Sequence, residues 1–354
     1  MTNGKRREQF AGHPVIWRSA ILRIEDIEQA SSIVYSHLLP TPQYSWPLLR
    51  ELIGCDVWVK HENHTPIGCF KLRGGLTYLE HLAREKLAPN GVIAPTRGNH
   101  GQSIAYASRI YGLPAYIVVP RGNGAEKNAA MRAHGGILVE HGSDYQQARE
   151  HALQLEQEKG LHMVRSFTPQ LLRGVATYPM ELLRGVPDLD YVYVPIGMGS
   201  GISATLLVRD LINSRAKIIG VVADGAPSYA LSFAAGKVVP TETAETVADG
   251  LACRSPDPGA VDLINRRAER VVRVTDDEIL TAAATFLRTT HNLVESAGAA
   301  PLAALMKERA RMRGKKVAVI ASGGNLDTAL LPLVLQRSQS RRKIKFSNVC
   351  DITY

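Results

Sequence analysis

The chain has 354 residues, 45% of them apolar and 21% charged, with a formal charge of +9 at pH 7. That balance belongs to an ordinary globular protein and excludes a fibrous or low-complexity one. No apolar run approaches the ~20 residues needed to cross a bilayer, so no membrane role is expected. The positive residues are scattered, and the only dense run, "SRRKIK" at Ser340 to Lys345, reads as a solvated basic tail over 341–354 rather than a nucleic-acid surface. The opening "MTNGKRREQF" has no apolar stretch behind it and does not read as a secretory signal. Cys55, Cys69, Cys253 and Cys350 form no CxxC pair, which points to a reducing, cytoplasmic setting and gives no metal signature.

In chain order, "GCFKLRGG" comes first, with Lys71 between an aromatic residue and an arginine region at a glycine-bordered helix start. Alone it reads as a solvent-facing lysine. "GVIAPT" then predicts a buried strand, followed by "RGNHGQSIAYASRIYG", a turn and a helix. Thr96 is placed to cap that helix, and its turn offers amides and an Asn side chain to a carboxylate; simple capping explains the same residues. "AYIVVP" and "GILVEH" continue the strands, separated by helical stretches. "YVYVPIGMGSGISATLLVRDL" reads as strand, loop and helix, with Gly197, Gly199 and Gly201 letting backbone N–H groups converge at a helix N-terminus to cradle a phosphate. A dinucleotide fold would want G-x-G-x-x-G, but position 202 is Ile, even though "KIIGVVAD" ends on an acidic residue, Asp224. "KVAVIASGGN" closes the series with a lone Ser322 at a strand end. Apolar strands alternating with helices predict an α/β fold of two open, mainly parallel units with the ligand in the cleft between them. A lysine, a phosphate cradle, a carboxylate cradle and a strand-end serine are together the parts of a pyridoxal phosphate site.

"FKLRGG", "RGNHGQ", "GMGSG", "ADGLA" and "SGGN", in that order over roughly residues 38–335, resemble the serine/threonine dehydratase family, pyridoxal phosphate enzymes of the tryptophan synthase β-subunit fold type. The resemblance implies a large cofactor-binding domain from 1–83 and 168–340 and a small domain from 84–167. It implies that Lys71 holds pyridoxal 5'-phosphate as a Schiff base and takes the substrate's Cα proton, with Phe70 beside the cofactor. Asn99 would bond the ring hydroxyl, Gly197, Met198, Gly199, Ser200 and Gly201 the phosphate, and Ser322 the pyridine nitrogen. Thr96, Arg97, Gly98, Asn99 and His100 would surround the substrate carboxylate. The implied reaction is β-elimination of water from a β-hydroxy amino acid such as threonine, serine, 3-hydroxyaspartate or phenylserine, giving a 2-oxo acid and ammonia in amino-acid catabolism. A homodimer acting on a small-molecule amino acid, with no nucleic-acid partner, completes the expectation.

Three features depart from that pattern. Arg97 stands where racemases of the family carry a serine, which argues against racemisation; it either pairs with a neighbour or shapes the pocket for an acidic or aromatic β-substituent. Val222 falls where some members carry a metal-binding carboxylate, so no metal is expected, with Asp224 a weak substitute. "RSFTPQLLRG" lacks the Pro and acidic residue usual after its strand, and no attached regulatory domain is expected. The alternatives are a β-replacement synthase or racemase of the same fold, or a non-catalytic amino-acid-binding protein.

Overall fold

A computed structural model describes residues 22–339; the expected basic tail, the opening "MTNGKRREQF" and Cys350 lie outside them. Among the described residues ten strands form two sheets: β1 (Gln43–Ser45), β2 (Asp56–His61), β3 (Val92–Pro95), β4 (Ala115–Val119), β5 (Ile137–Glu140), β6 (His162–Met163), β7 (Tyr191–Pro195), β8 (Lys217–Ala223), β9 (Arg270–Val274) and β10 (Lys316–Ala321). The larger sheet runs β1-β2-β10-β7-β8-β9 and the smaller β5-β4-β3-β6. Every pairing is parallel except the antiparallel β1–β2 edge. The expected mainly parallel α/β architecture is therefore what the chain forms.

The central strands are apolar on both faces because helices cover both. Val317, Ala318, Val319 and Ile320 of β10 are at most 1% exposed, and the odd and even positions feed two different apolar clusters. A strand enclosed in this way cannot leave an unpaired amide, which the ladders to β2 and β7 supply.

The helix Lys71–Arg84 lies against both the Asn99–Ile110 and Pro169–Val175 helices. Leu72, Leu76 and Leu79, spaced to share one face, are fully buried. Burying each leucine contributes about 1.5–3 kcal/mol. The same helix carries Arg73, also fully buried, into an ion cluster beneath it. Arg73 Nε and Nη2 donate to the two Glu62 oxygens at 2.8 and 3.0 Å, and Nη1 donates to Glu181 Oε1 at 2.6 Å and to Thr177 at 2.9 Å. Lys60, equally buried, donates to Glu181 and to the Thr41 carbonyl. Two cations face two carboxylates, so no net charge is buried. Burial would push the Glu181 carboxyl up, but Arg73 and Lys60 hold it below the ordinary range.

Removing one member of such a cluster strands the others without water. Arg73→Leu is therefore expected to destabilise the protein by about 3–5 kcal/mol in urea denaturation. Arg84→Ala, which breaks an exposed pair with Glu80 on the same helix, should leave the midpoint unchanged.

Candidate active site

The segment before Lys71 is bound to the turn after β10. Phe70 N donates to the Ser322 carbonyl at 3.1 Å and Gly324 N to the Gly68 carbonyl at 2.8 Å, while Cys69 and Gly323 form an isolated β-bridge. These contacts set the lysine beside Ser322 at the carboxyl end of a central strand. Ser322 is 4% exposed, and its hydroxyl bonds no other described residue. Lys71 keeps part of its surface open, and its Nζ lies 5.2 Å from the centroid of the Phe70 ring. Among the described residues no carboxylate comes within ion-pair distance of it. Crowding by protein lowers its pKa, against the smaller opposing effects of Cys69 and Glu295. An amine without a counter-ion, short of water, is on its way to being a nucleophile and a base.

The glycine loop follows β7. Gly199 sits at φ 93°, which L side chains rarely adopt, and the helix Ser200–Leu211 starts immediately after it. The first-turn N–H groups of any helix have no intrahelical acceptor, so the amides from Ser200 onward form an anion site. Gly197 backs onto the turn Asp249–Leu251: a Cβ there would stand 2.1 Å from the Gly250 carbonyl oxygen. Tyr229 braces the loop from behind by donating to the Met198 carbonyl at 3.0 Å. Tyr178 donates to the Gly201 carbonyl at 3.1 Å and stands edge-on to Phe70, 6.0 Å between ring centroids. Phe70, Lys71, Gly201 and Ser322 are thus brought together from three separate stretches of sequence.

The turn after β3 faces the same region from the smaller sheet. The buried Thr96 hydroxyl oxygen accepts from Gly98 N at 3.0 Å and Gly101 N at 3.3 Å, folding the loop over the start of the helix Asn99–Ile110. His100 Nε2 lies 3.2 Å from the Val164 carbonyl, to which its N–H donates, and burial holds the ring at about 4, so it is neutral near pH 7. Arg97 is exposed, with Nη1 4.0 Å from Asp249. Asn99 makes contacts no sequence motif announced. Its Nδ2 donates to both Glu295 oxygens at 2.9 and 3.0 Å, and its Oδ1 accepts from Asn325 Nδ2 at 2.8 Å. Nearby, Lys127 bridges Asp249 and Asp327 at 2.7 and 2.8 Å. Val222 is a buried strand residue, and Asp224 pairs with Arg273 at 2.7 Å.

An α/β protein with an uncompensated amine, a helix-terminal anion cradle and a neutral hydroxyl at the ends of parallel strands is the class that employs an aldehyde cofactor carrying a phosphate. The chain belongs to the pyridoxal-phosphate dependent enzyme family, which matches residues 34–323, and pyridoxal phosphate is its cofactor. It is 31% identical to an L-threonine ammonia-lyase of Thermotoga maritima over 92% of this chain and 81% of that one. It is 29% identical to an L-threo-3-hydroxyaspartate ammonia-lyase of Saccharomyces cerevisiae over 85% of this chain and 93% of that one. The solved structure of maize serine racemase superposes with a TM-score of 0.83 at 27% identity, covering 90% of this chain and 98% of that one.

Glu295, Lys127 and Tyr229 are what motif reasoning passed over, and Asn325 is the last residue of "SGGN", to which no role was given. Glu295 immediately precedes the helix Ser296–Lys307, so it reads as an ordinary acidic cap, yet its side chain makes no capping bond and turns to Asn99 instead.

Two outcomes follow from this geometry. Gly197→Ala must displace the loop or the Gly250 carbonyl, at a cost of about 1–3 kcal/mol, and is expected to weaken pyridoxal phosphate binding at least about tenfold by fluorescence titration. His61 and His100, both held at about 4 by burial, take up protons more readily when unfolded. Their contribution to stability is complete above pH ~6.5 and is lost as the pH falls toward 4. The drop in urea midpoint between pH 7 and 4.5 should shrink in the His61→Gln and His100→Gln variants.

Proposed function

We propose that this enzyme is an ammonia-lyase that converts a β-hydroxy amino acid to a 2-oxo acid and ammonia: breaking Cα–H and Cβ–O eliminates water, and hydrolysis of the resulting enamine, through its imine, breaks Cα–N and releases ammonia. The observation that carries the proposal is the Lys71 amine, crowded by protein and with no carboxylate at ion-pair distance among the described residues, next to the neutral Ser322 hydroxyl. Its likeness to an L-threonine ammonia-lyase and an L-threo-3-hydroxyaspartate ammonia-lyase, at 31% and 29% identity, supports the reaction class.

Pyridoxal phosphate, when bound, supplies an electron sink that acidifies the Cα–H bond of an amino acid joined to it. Lys71 Nζ would hold the cofactor and, uncharged, accept that Cα proton. The amides of Gly197, Met198, Gly199, Ser200 and Gly201 would bind the phosphate, and Phe70 would flank the ring. Asn99 would donate to the ring hydroxyl. The Ser322 hydroxyl would meet the ring nitrogen without putting a charge on it, which limits the sink and favours early departure of a β-substituent. The turn from Thr96 to His100 would receive the substrate carboxylate, with His100 neutral and fixed by its bond to Val164 rather than moving protons.

Racemisation is the second reading, favoured by the likeness to maize serine racemase. It requires a second group able to protonate Cα from the opposite face. Arg97, a guanidinium with Nη1 4.0 Å from Asp249, is poorly suited to that task. Its guanidinium suits instead a substrate whose β-carbon bears a carboxylate. The boundaries 1–83 with 168–340 and 84–167 are supported by the smaller sheet, whose strands all fall between 92 and 163. Cys55, Cys69 and Cys253 are unpaired, which supports a reducing, cytoplasmic location, and a two-fold homodimer is the expected assembly.

The test is a panel of threonine, serine, 3-hydroxyaspartate and phenylserine with 2-oxo acid as readout. Product is expected from at least one, and none from Lys71→Ala; inversion of Cα without 2-oxo acid would favour the racemase. Arg97→Ala is expected to lower kcat/KM for 3-hydroxyaspartate relative to threonine by about tenfold or more, the worth of one charge-assisted contact. An unchanged ranking would remove Arg97 from the specificity account.

A further inference from the structure

Glu295 is buried, 8% exposed, and belongs to no motif that suggested the cofactor. The hydrogen bonds around it have a direction that can be read from their far end. The Ile67 carbonyl can only accept, so the Asn325 atom facing it at 2.9 Å is Nδ2. The same Nδ2 donates to Asn99 at 2.8 Å, which makes the receiving atom Oδ1 and turns Asn99 Nδ2 toward Glu295. A carboxylate at that point is what an amide in this orientation needs. An alternative flip would set the Asn99 oxygen against both Glu295 oxygens and the Asn99 nitrogen against that of Asn325. The carboxylate has been given room as well: a Cβ on Gly323 would stand 2.4 Å from Glu295 Oε1, so the residue after Ser322 has to be glycine. A backbone bond from Glu295 N to the Gly323 carbonyl, 2.9 Å, fixes the same turn from the other side.

An amide nitrogen has two hydrogens; the two Glu295 oxygens, at 2.9 and 3.0 Å and only one carboxylate's width apart, share one of them. We propose that Glu295 is a positioning residue that locks the Asn99 amide, so that its remaining N–H is presented to the cofactor's ring hydroxyl. This rests on the reading that Asn99 contacts that hydroxyl. Glu295 reaches the cofactor only through Asn99, which distinguishes it from a group that touches the ring. Burial, with a smaller effect from Asp249, raises its pKa despite the bond from Asn99 and the charges of Lys127 and Lys71.

A double-mutant cycle on the holoenzyme tests the proposal, read by the dissociation constant of pyridoxal phosphate and the visible absorbance maximum of the bound cofactor. Asn99→Ala and Glu295→Leu are each expected to weaken cofactor binding by about tenfold and to shift the absorbance in the same direction, and the double variant should be no worse than either. Glu295→Gln, which keeps one acceptor for Asn99, should recover most of the loss. Should Glu295→Leu fail to fold, the cycle is run with Glu295→Ala, which also removes the acceptor, in both Asn99 backgrounds. If Asn99→Ala changes neither readout, the reading of Asn99 fails and the proposal with it. If Asn99→Ala changes both while the Glu295 variant that lacks an acceptor changes neither, or if the two losses multiply, Glu295 is not acting through Asn99 and the proposal alone is overturned.

Discussion

A lysine amine can be kept short of water only if something else fixes the backbone that carries it. Here Lys71 and Arg73 sit two residues apart on the first turn of one helix and are treated in opposite ways. Arg73 is fully buried but bonded through Nε, Nη1 and Nη2 to Glu62, Glu181 and Thr177, so its charge is satisfied. Lys71 has no carboxylate partner among the described residues, and its charge is penalised. The arginine anchors the helix against the larger sheet; the lysine, on the same rigid turn, inherits a fixed position without having to pair for it. Were Lys71 itself ion-paired, the charged form would be favoured.

The anchoring continues outward from the lysine. The Gly68–Phe70 segment is tied to the turn after β10, Phe70 touches Tyr178, and Tyr178 holds the Gly201 carbonyl. From the smaller sheet, Asn99 reaches Glu295 and Asn325, and Lys127 reaches Asp249 and Asp327. The two sheets therefore meet through directed polar bonds around the lysine rather than through apolar packing alone. Polar contacts of that kind are compatible with ligand entry, because water can replace them when they part.

Strands enclosed by helices were legible because they must be apolar on both faces: "VIAP", "YVYVP" and "KVAVIA" are runs of that kind. β9, "RVVRV", lies at the edge of its sheet and is mostly half-exposed, so charges interrupt it and hide it. β2, "DVWVKH", ends in a buried lysine and histidine that composition assigns to the surface. The site was legible where chemistry needs a local signature, as in the glycine loop with its positive φ at Gly199. It was not legible where one side chain depends on another far along the chain. Asn99 and Glu295 are 196 residues apart, and the helix-cap position that makes an acid unremarkable conceals the bond. The two glycines after Ser322 read as a simple turn, whereas Gly323 is required by the carboxylate packed against it.

Lys71 is the amine we propose to join the cofactor. Borohydride reduction of the cofactor-loaded protein makes that bond permanent, and proteolysis with mass spectrometry locates it. The added pyridoxyl mass is predicted on the peptide containing Lys71 and on no other lysine. Recovery of the mass at a different residue, or an unmodified Lys71 in protein that carries bound cofactor, would contradict it.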